Sequence, residues 1–196
     1  EVGAKRLLRE HGVPVPDGAV CADAEVAVDM ATGLPGPVVL KGIGVAHKTE
    51  HDAVRLDPPD VGAAAAELLA RFPAVLVERL VVDGVAELLV GVHTDPVFGP
   101  VLSLGSGGVL TELVRDVAHL LLPVDAAEIR RALLGLRCAP LLTGYRGAPA
   151  ADVDELVAVV ERVVELVLGA PEVVTLEINP LIVTATGAWA CDALLV

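Results

Sequence analysis

The apolar residues of this 196-residue chain come in short runs, and that limits its fold more than any other feature. Pro37–Lys41, Ala86–Thr94 and Leu181–Thr184 are typical, and such runs stop at a charge, a Gly or a Pro within about ten residues. Runs of this size make strands and amphipathic helices. A membrane-crossing helix needs about 20 consecutive apolar residues, so no membrane span is expected.

The order of the runs narrows the class. A helix ends over residues 4–10 and stops at Gly12. Val13-Pro14-Val15-Pro16 is an extended connector, because proline blocks helix at the residue before it. Strands are expected at Ala19–Cys21, Pro37–Lys41 and Val54–Leu56, with a loop over Gly42–Asp52. Helices are expected at Ala24–Thr32, capped by Asp23, and at Val61–Phe72 after Pro58-Pro59-Asp60. Ala74–Leu80 and Ala86–Thr94 read as consecutive strands about a turn at Asp83-Gly84. A strand follows at Pro100–Leu104, then the loop Gly105-Ser106-Gly107-Gly108, then helices at Asp125–Leu134 and Asp152–Leu168. Strands at Val173–Ile178, Leu181–Thr184 and Ala188–Cys191 close the chain, with Thr186-Gly187 in the last turn. Hairpins mixed with helices, without regular strand–helix alternation, favour α+β over a doubly wound sheet.

Composition then excludes partners. The formal net charge is -13, only 2% of residues are aromatic, and no basic stripe is present. Nucleic acid is therefore not an expected ligand. Cys21, Cys138 and Cys191 are an odd number with no C-x-x-C spacing, which fits three buried thiols in a reducing cytoplasm rather than a disulfide framework or a zinc site.

Three places concentrate chemistry. The first is the loop Gly42-Ile43-Gly44-Val45-Ala46-His47-Lys48-Thr49, which misses the phosphate-loop pattern G-x-x-x-x-G-K-[ST] by one residue. His47 stands where the second glycine should be, and a strand rather than a helix follows, so the pattern is rejected. Two of the three lysines, Lys41 and Lys48, still fall at this one strand–loop junction, where flexible point charges could meet a phosphate. They read equally well as solvated surface lysines. His47 is a candidate ligand, base or nucleophile, and His51 a weaker one; His11, His93 and His119 have no supporting context. The second place is Glu78 and Glu87, each a lone acid inside an apolar run. Such acids face water by default, and a ribose hydroxyl or an amino group is the functional alternative. The third is Glu177-Ile178-Asn179 with Asp192. Glu177 and Asn179 share one strand face, and a hairpin through Thr186-Gly187 can return Asp192 beside Asn179. Oxygen ligands on rigid strands suit Mg²⁺; polar residues near strand ends are also common without any such role.

In chain order these places resemble the ATP-grasp domain of ADP-forming acyl-CoA synthetases, the acetate–CoA ligase type, a relative of the succinyl-CoA synthetase β subunit. The residues that carry the resemblance are Gly12–Pro16, Pro37–Lys41, His47-Lys48-Thr49, Asp95-Pro96-Val97-Phe98-Gly99-Pro100, Gly107-Gly108-Val109 and Glu112, then Asp116-Val117, Leu141–Gly147, and Glu177-Ile178-Asn179-Pro180-Leu181 with Asp192.

The resemblance implies an α+β, two-lobed ATP-grasp domain over 1–196 with the nucleotide in the cleft between the lobes. The smaller lobe would be 18–80 and the larger 1–17 with 81–196. Lys41 would bind the α and β phosphates, Glu78 would open the hinge that meets adenine, and Glu87 would hold the ribose. Asn179 and Asp192 would hold Mg²⁺, Glu177 would lie near the transferred phosphoryl group, and His47 would carry phosphate. ATP/ADP and Mg²⁺ are thus the implied ligands. The implied partner is a CoA-binding/ligase domain or subunit, in a homo- or hetero-oligomer. The family's loop usually reads H-K-S-D-x-G-G-V. Here both glycines are replaced, by Asp52 and Ala53, and Leu120 stands near the place of a family arginine. A module of the same fold that binds without catalysing, as in fusions with protein acetyltransferases, is the alternative. A charge of -13 repels nucleotide at long range, so the lysines and a bridging metal would have to offset it locally.

Overall fold

The computed structural model describes residues 1–44, 51–108 and 114–196. The expectations for His47, Lys48 and Glu112 lie outside the described residues. In chain order the elements are α1 (Val2–Glu10), β1 (Gly18–Cys21), α2 (Ala24–Gly33), β2 (Val38–Gly42), β3 (Val54–Leu56), α3 (Val61–Leu69), β4 (Val75–Arg79), β5 (Ala86–Asp95) and β6 (Gly99–Ser106). Then come β7 (Val117–Leu121), α4 (Ala126–Gly135), α5 (Ala139–Leu142), α6 (Val153–Gly169), β8 (Thr175–Thr184), β9 (Gly187–Ala190) and β10 (Ala193–Leu195). The chain divides into two compact units, Pro16–Val82 and the larger Glu1–Val15 with Asp83–Val196.

The smaller unit is an antiparallel sheet in the order β1-β4-β2-β3. Helices α2 and α3 cover one face of it, where Leu40, Val75 and Val77 meet Ala27, Ala65 and Leu68. Asp23 and Asp60 start the two helices, their side chains accepting from Val26 N at 2.8 Å and Ala63 N at 2.9 Å. Helix α3 stops at Leu69, short of the expected Phe72. Pro73 disfavours helical backbone at Phe72, whose ring instead packs into this unit's core.

The larger unit is a six-stranded antiparallel sheet, β10-β8-β5-β6-β7, with β9 also paired to β8. Strand β5 alternates strictly: Ala86, Leu88, Val90 and Val92 are buried, while Glu87, Leu89, Gly91 and His93 lie on the other face. The buried set packs on α1, α4 and α6 in one continuous core. Helix α6 is valine-rich, which is a poor helix composition by propensity alone. Its Leu156, Val157, Val160, Val163, Val164 and Val167 recur at helical spacing and are all buried, so packing decides. Asp152 caps it through Glu155 N at 3.0 Å. Among the described residues no helix is long and apolar enough to cross a membrane.

Four expectations change. Strands β4 and β5 do not pair; β4 lies in the smaller unit's sheet, and β5 pairs with β6 and β8. Asp83-Gly84 is therefore a connection rather than a hairpin turn, because a local turn signal carries no information on distant partners. The expected pair of strands at 173–178 and 181–184 is the single strand β8. Pro180 has no N–H for the ladder, and the β5–β8 register shifts opposite it, between Leu88 and Val90. Strand β7 and the short helix α5 were not legible in the sequence. Of the thiols, only Cys21 is fully buried; Cys138 and Cys191 are half-buried, and none of the three forms a disulfide.

Candidate nucleotide and metal site

In the smaller unit, β2 and β4 are registered so that Val39 faces Glu78 and Lys41 faces Leu76. Lys41 and Glu78 are thus diagonal neighbours on one face. Their side chains form an ion pair, Nζ to Oε2 at 2.9 Å, and both residues are buried, at 8% and 2% exposure. The default of a water-facing acid fails at Glu78. Breaking a buried ion pair by removing one member is strongly destabilising.

In the larger unit, Glu87 lies on the open face of β5, and the glycine pair after β6 lies across it. Gly107 N donates to the Glu87 carbonyl at 2.8 Å. A Cβ on Gly107 would come within 2.5 Å of the Leu88 backbone. Gly108 has φ +73°, and a Cβ there would meet Glu87 Oε2 at 2.1 Å. Only glycine permits this approach. Gly108 N also donates to Asn179 Oδ1 at 3.0 Å, so Glu87, Gly107-Gly108 and Asn179 form one cluster.

Asn179 and Asp192 are adjacent across two strand ends. The β8–β9 hairpin closes with Thr184 opposite Gly187. It carries the chain back until Asn179 N donates to the Asp192 carbonyl at 3.1 Å and Cys191 N to the Pro180 carbonyl at 3.0 Å. Asp192 Oδ1 accepts from Ala193 N at 2.9 Å. Glu177 is two residues from Asn179 on the same half-exposed side of β8. Its carboxylate has no hydrogen bond or ion pair among the described residues. One carboxylate, one amide oxygen and a neighbouring carboxylate are too few for a fully protein-ligated metal. The described residues hold no group of three His, Cys, Asp or Glu of that kind. The donor set fits Mg²⁺, a hard ion that takes one or two carboxylates and fills its octahedron with phosphate oxygens and water.

The departure at Asp52 and Ala53 has a structural account. Asp52 sits at φ +48°, the left-handed conformation that glycine adopts freely. Its carboxylate meets Arg55 through two bonds, 2.9 and 3.0 Å, and Arg71 at 3.5 Å. The hydrogen bond and charge of Arg55, with Arg71, hold the Asp52 carboxyl below the usual range. Arg71 also donates to the His51 carbonyl at 2.6 Å and stacks over Phe72. The added negative charge is therefore offset where it stands.

Asp116 has a role that its motif did not reveal. It is buried and accepts from Arg137 N and Cys138 N at 2.9 and 3.0 Å, tying the residue before β7 to the start of α5. Burial, then the Asp116 charge, pushes the Cys138 thiol up to about 11, so it is a neutral packing group at ordinary pH. The polar residues His93, Ser103 and His119 gather on the open face of the larger sheet. The period-two spacing from Glu87 to His93 was the available signal for the first of them.

Comparison with known proteins gives the family. A model of the ATP-grasp domain matches residues 1–196. A trans-feruloyl-CoA synthase from an unknown prokaryotic organism is 36% identical over 211 residues, covering 100% of this chain and 30% of that protein. An ADP-forming acetate–CoA ligase of Archaeoglobus fulgidus is 34% identical over 97% of this chain and 30% of its own length. The chain thus spans about a third of those two relatives, but 89% of the β subunit of a Pyrococcus furiosus ADP-forming acetate–CoA ligase, at 28% identity over 98% of this chain. A solved acetyl-coenzyme A synthetase of Candidatus Korarchaeum cryptofilum, in complex with coenzyme A and a nucleotide analogue, superposes with a TM-score of 0.91 at 27% identity, over 98% of this chain and 90% of that one. The fold and the site define an ATP-grasp domain. The chain belongs to that family, among the ATP-grasp domains of ADP-forming acyl-CoA synthetases.

Proposed function

We propose that this chain is the Mg-ATP-binding, phosphoryl-transferring module of an ADP-forming acyl-CoA synthetase. The observation that carries the reading is the adjacency of Asn179 and Asp192, with the Glu177 carboxylate, unpartnered among the described residues, on the same strand as Asn179. The smaller unit contributes Lys41 to the α and β phosphates and, around Glu78, the backbone that meets adenine. The larger unit contributes Glu87 to the ribose hydroxyls, its backbone placed by Gly107. Mg²⁺ held by Asn179 and Asp192 neutralises phosphate charge. Glu177 holds its carboxylate beside the transferred group, orienting the acceptor for in-line attack.

The acceptor is His47. Its ring nitrogen forms the N–P bond as the bond from the γ-phosphorus to the bridging oxygen breaks; ADP leaves and the ring N–H proton is released. A CoA-binding/ligase domain or subunit then draws on that phosphoryl group to make acyl-CoA, ADP and phosphate from acid, CoA and ATP. Among the relatives, a β subunit of nearly this length is the form that implies such a partner. An ATP-using module whose three thiols form no disulfide fits a reducing cytoplasm. The charge-neutralised, glycine-like Asp52 favours this reading over a non-catalytic module, because it removes the loop's main electrostatic objection.

Titration calorimetry with ATP tests the binding half. One site is expected in Mg²⁺, with affinity at least about tenfold weaker in EDTA and in Asp192→Asn, since each loses a charged contact. Equal affinity with and without Mg²⁺ would remove Asn179 and Asp192 from the metal site.

A further inference from the structure

The open face of the larger sheet holds a second polar place, one row of side chains running across four strands. Glu177 on β8 faces Gly91 on β5, Gly91 faces Ser103 on β6, and Ser103 faces His119 on β7. One residue pair along, Thr175 faces His93. The row is interrupted at its centre, because Gly91 has no side chain, and a cavity of about 250 Å³ opens there, lined by these six residues among others. The sheet itself does not require glycine at 91. A Cβ there would meet nothing closer than the Leu176 carbonyl oxygen at 3.8 Å, and its backbone is not left-handed. A glycine within a strand loses packing and backbone entropy, and one use for it is room for a ligand.

The walls carry a defined chemistry. His119 Nδ1 lies 2.9 Å from Ser103 Oγ, and His93 Nδ1 lies 3.2 Å from Thr175 Oγ1. Neither ring has a second hydrogen-bond partner among the described residues. In the tautomer in which each hydroxyl donates to Nδ1, the ring presents its Nε2–H as a donor. Glu177 supplies a carboxylate acceptor. Asp95, at the end of β5, already accepts from Val97 N and Phe98 N.

We propose that this pocket is a subsite for a small oxyanion that carries one proton, with inorganic phosphate as the simplest case. The anionic oxygens accept from the two Nε2–H groups, and the P–OH donates to Glu177. A fully deprotonated anion would be repelled by that carboxylate. The subsite lies wholly within the larger unit and shares Glu177 with the proposed phosphoryl-transfer site; its test uses no nucleotide, so its failure is distinguishable from failure of the ATP reading.

The test uses the whole chain, nucleotide-free, with imidazole ¹H–¹⁵N spectra followed as inorganic phosphate is added. Sodium chloride at matched ionic strength is the control. Saturable shifts are expected at His93 and His119 and not at His11, which contacts the Leu7 carbonyl on α1. Gly91→Ala should keep the parent's unfolding midpoint and bind phosphate at least about tenfold more weakly, by filling the floor. Ser103→Ala should shift the His119 tautomer and weaken binding without touching the floor. Shifts that do not saturate, or that chloride reproduces, would mean an adventitious ion only. Undiminished binding in both variants would place the phosphate elsewhere; either result overturns the proposal.

Discussion

Asp52 shows how one residue can look wrong in a sequence and fit in a structure. By composition it adds a charge and stiffens a loop that relatives build from glycine. In place, its φ of +48° is the conformation a glycine would supply, and Arg55 and Arg71 absorb its charge. Asp and Asn tolerate that region better than other side chains, and alanine does not. Asp52→Gly should therefore keep a thermal midpoint closer to the parent's than Asp52→Ala, although both lose the arginine contacts. The reverse order would show that the contacts alone hold the stem. Its carboxyl titrates below the ordinary value in the folded chain, so its stabilisation is complete above the unfolded pKa and fades as pH falls through the folded one. The Lys41–Glu78 pair makes a sharper prediction. Glu78→Gln leaves a buried lysine without its carboxylate and should cost about 3 kcal/mol in denaturant unfolding. Lys41→Met added to it should recover much of that loss. An additive double variant would deny the coupling.

At the scale of elements, every helix but the short α5 was legible and the strand pairing was not. Asp23, Asp60 and Asp152 are all caps that a short-range pattern can find, and each accepts the expected backbone N–H. Pairing partners sit far apart in sequence, so Asp83-Gly84 passed for a hairpin while β5 paired with β8 about 90 residues on. Strand β7 is an edge strand whose apolar residues are split by His119 at its centre. The site followed the same division. Glu177, Asn179 and Asp192 could be grouped from strand parity and one tight hairpin. The roles of Gly107-Gly108, Asp116 and the Gly91 row depend on contacts between distant strands. Gly108→Ala tests that reading of the cluster. The added methyl would collide with Glu87 Oε2 in a left-handed backbone, so ATP affinity should fall at least about tenfold through displacement of Glu87 and Asn179. Unchanged affinity would mean that the glycine pair does not support the nucleotide.

The whole molecule comprises two units with separate cores. The acidic excess of -13 no longer argues against an anionic ligand. Lys41 and Asp52 each have an opposite charge at hand, and in the proposed site Asp192 would hold Mg²⁺. The central claim is that ATP passes its γ-phosphoryl group to His47. Its direct measurement is incubation of the chain with γ-labelled ATP and Mg²⁺, with and without the CoA-ligase partner, followed by mapping of any acid-labile, base-stable label. The account predicts label on His47, lost in His47→Ala and in EDTA. ATP binding without label in either setting, or label that persists in His47→Ala, would contradict it.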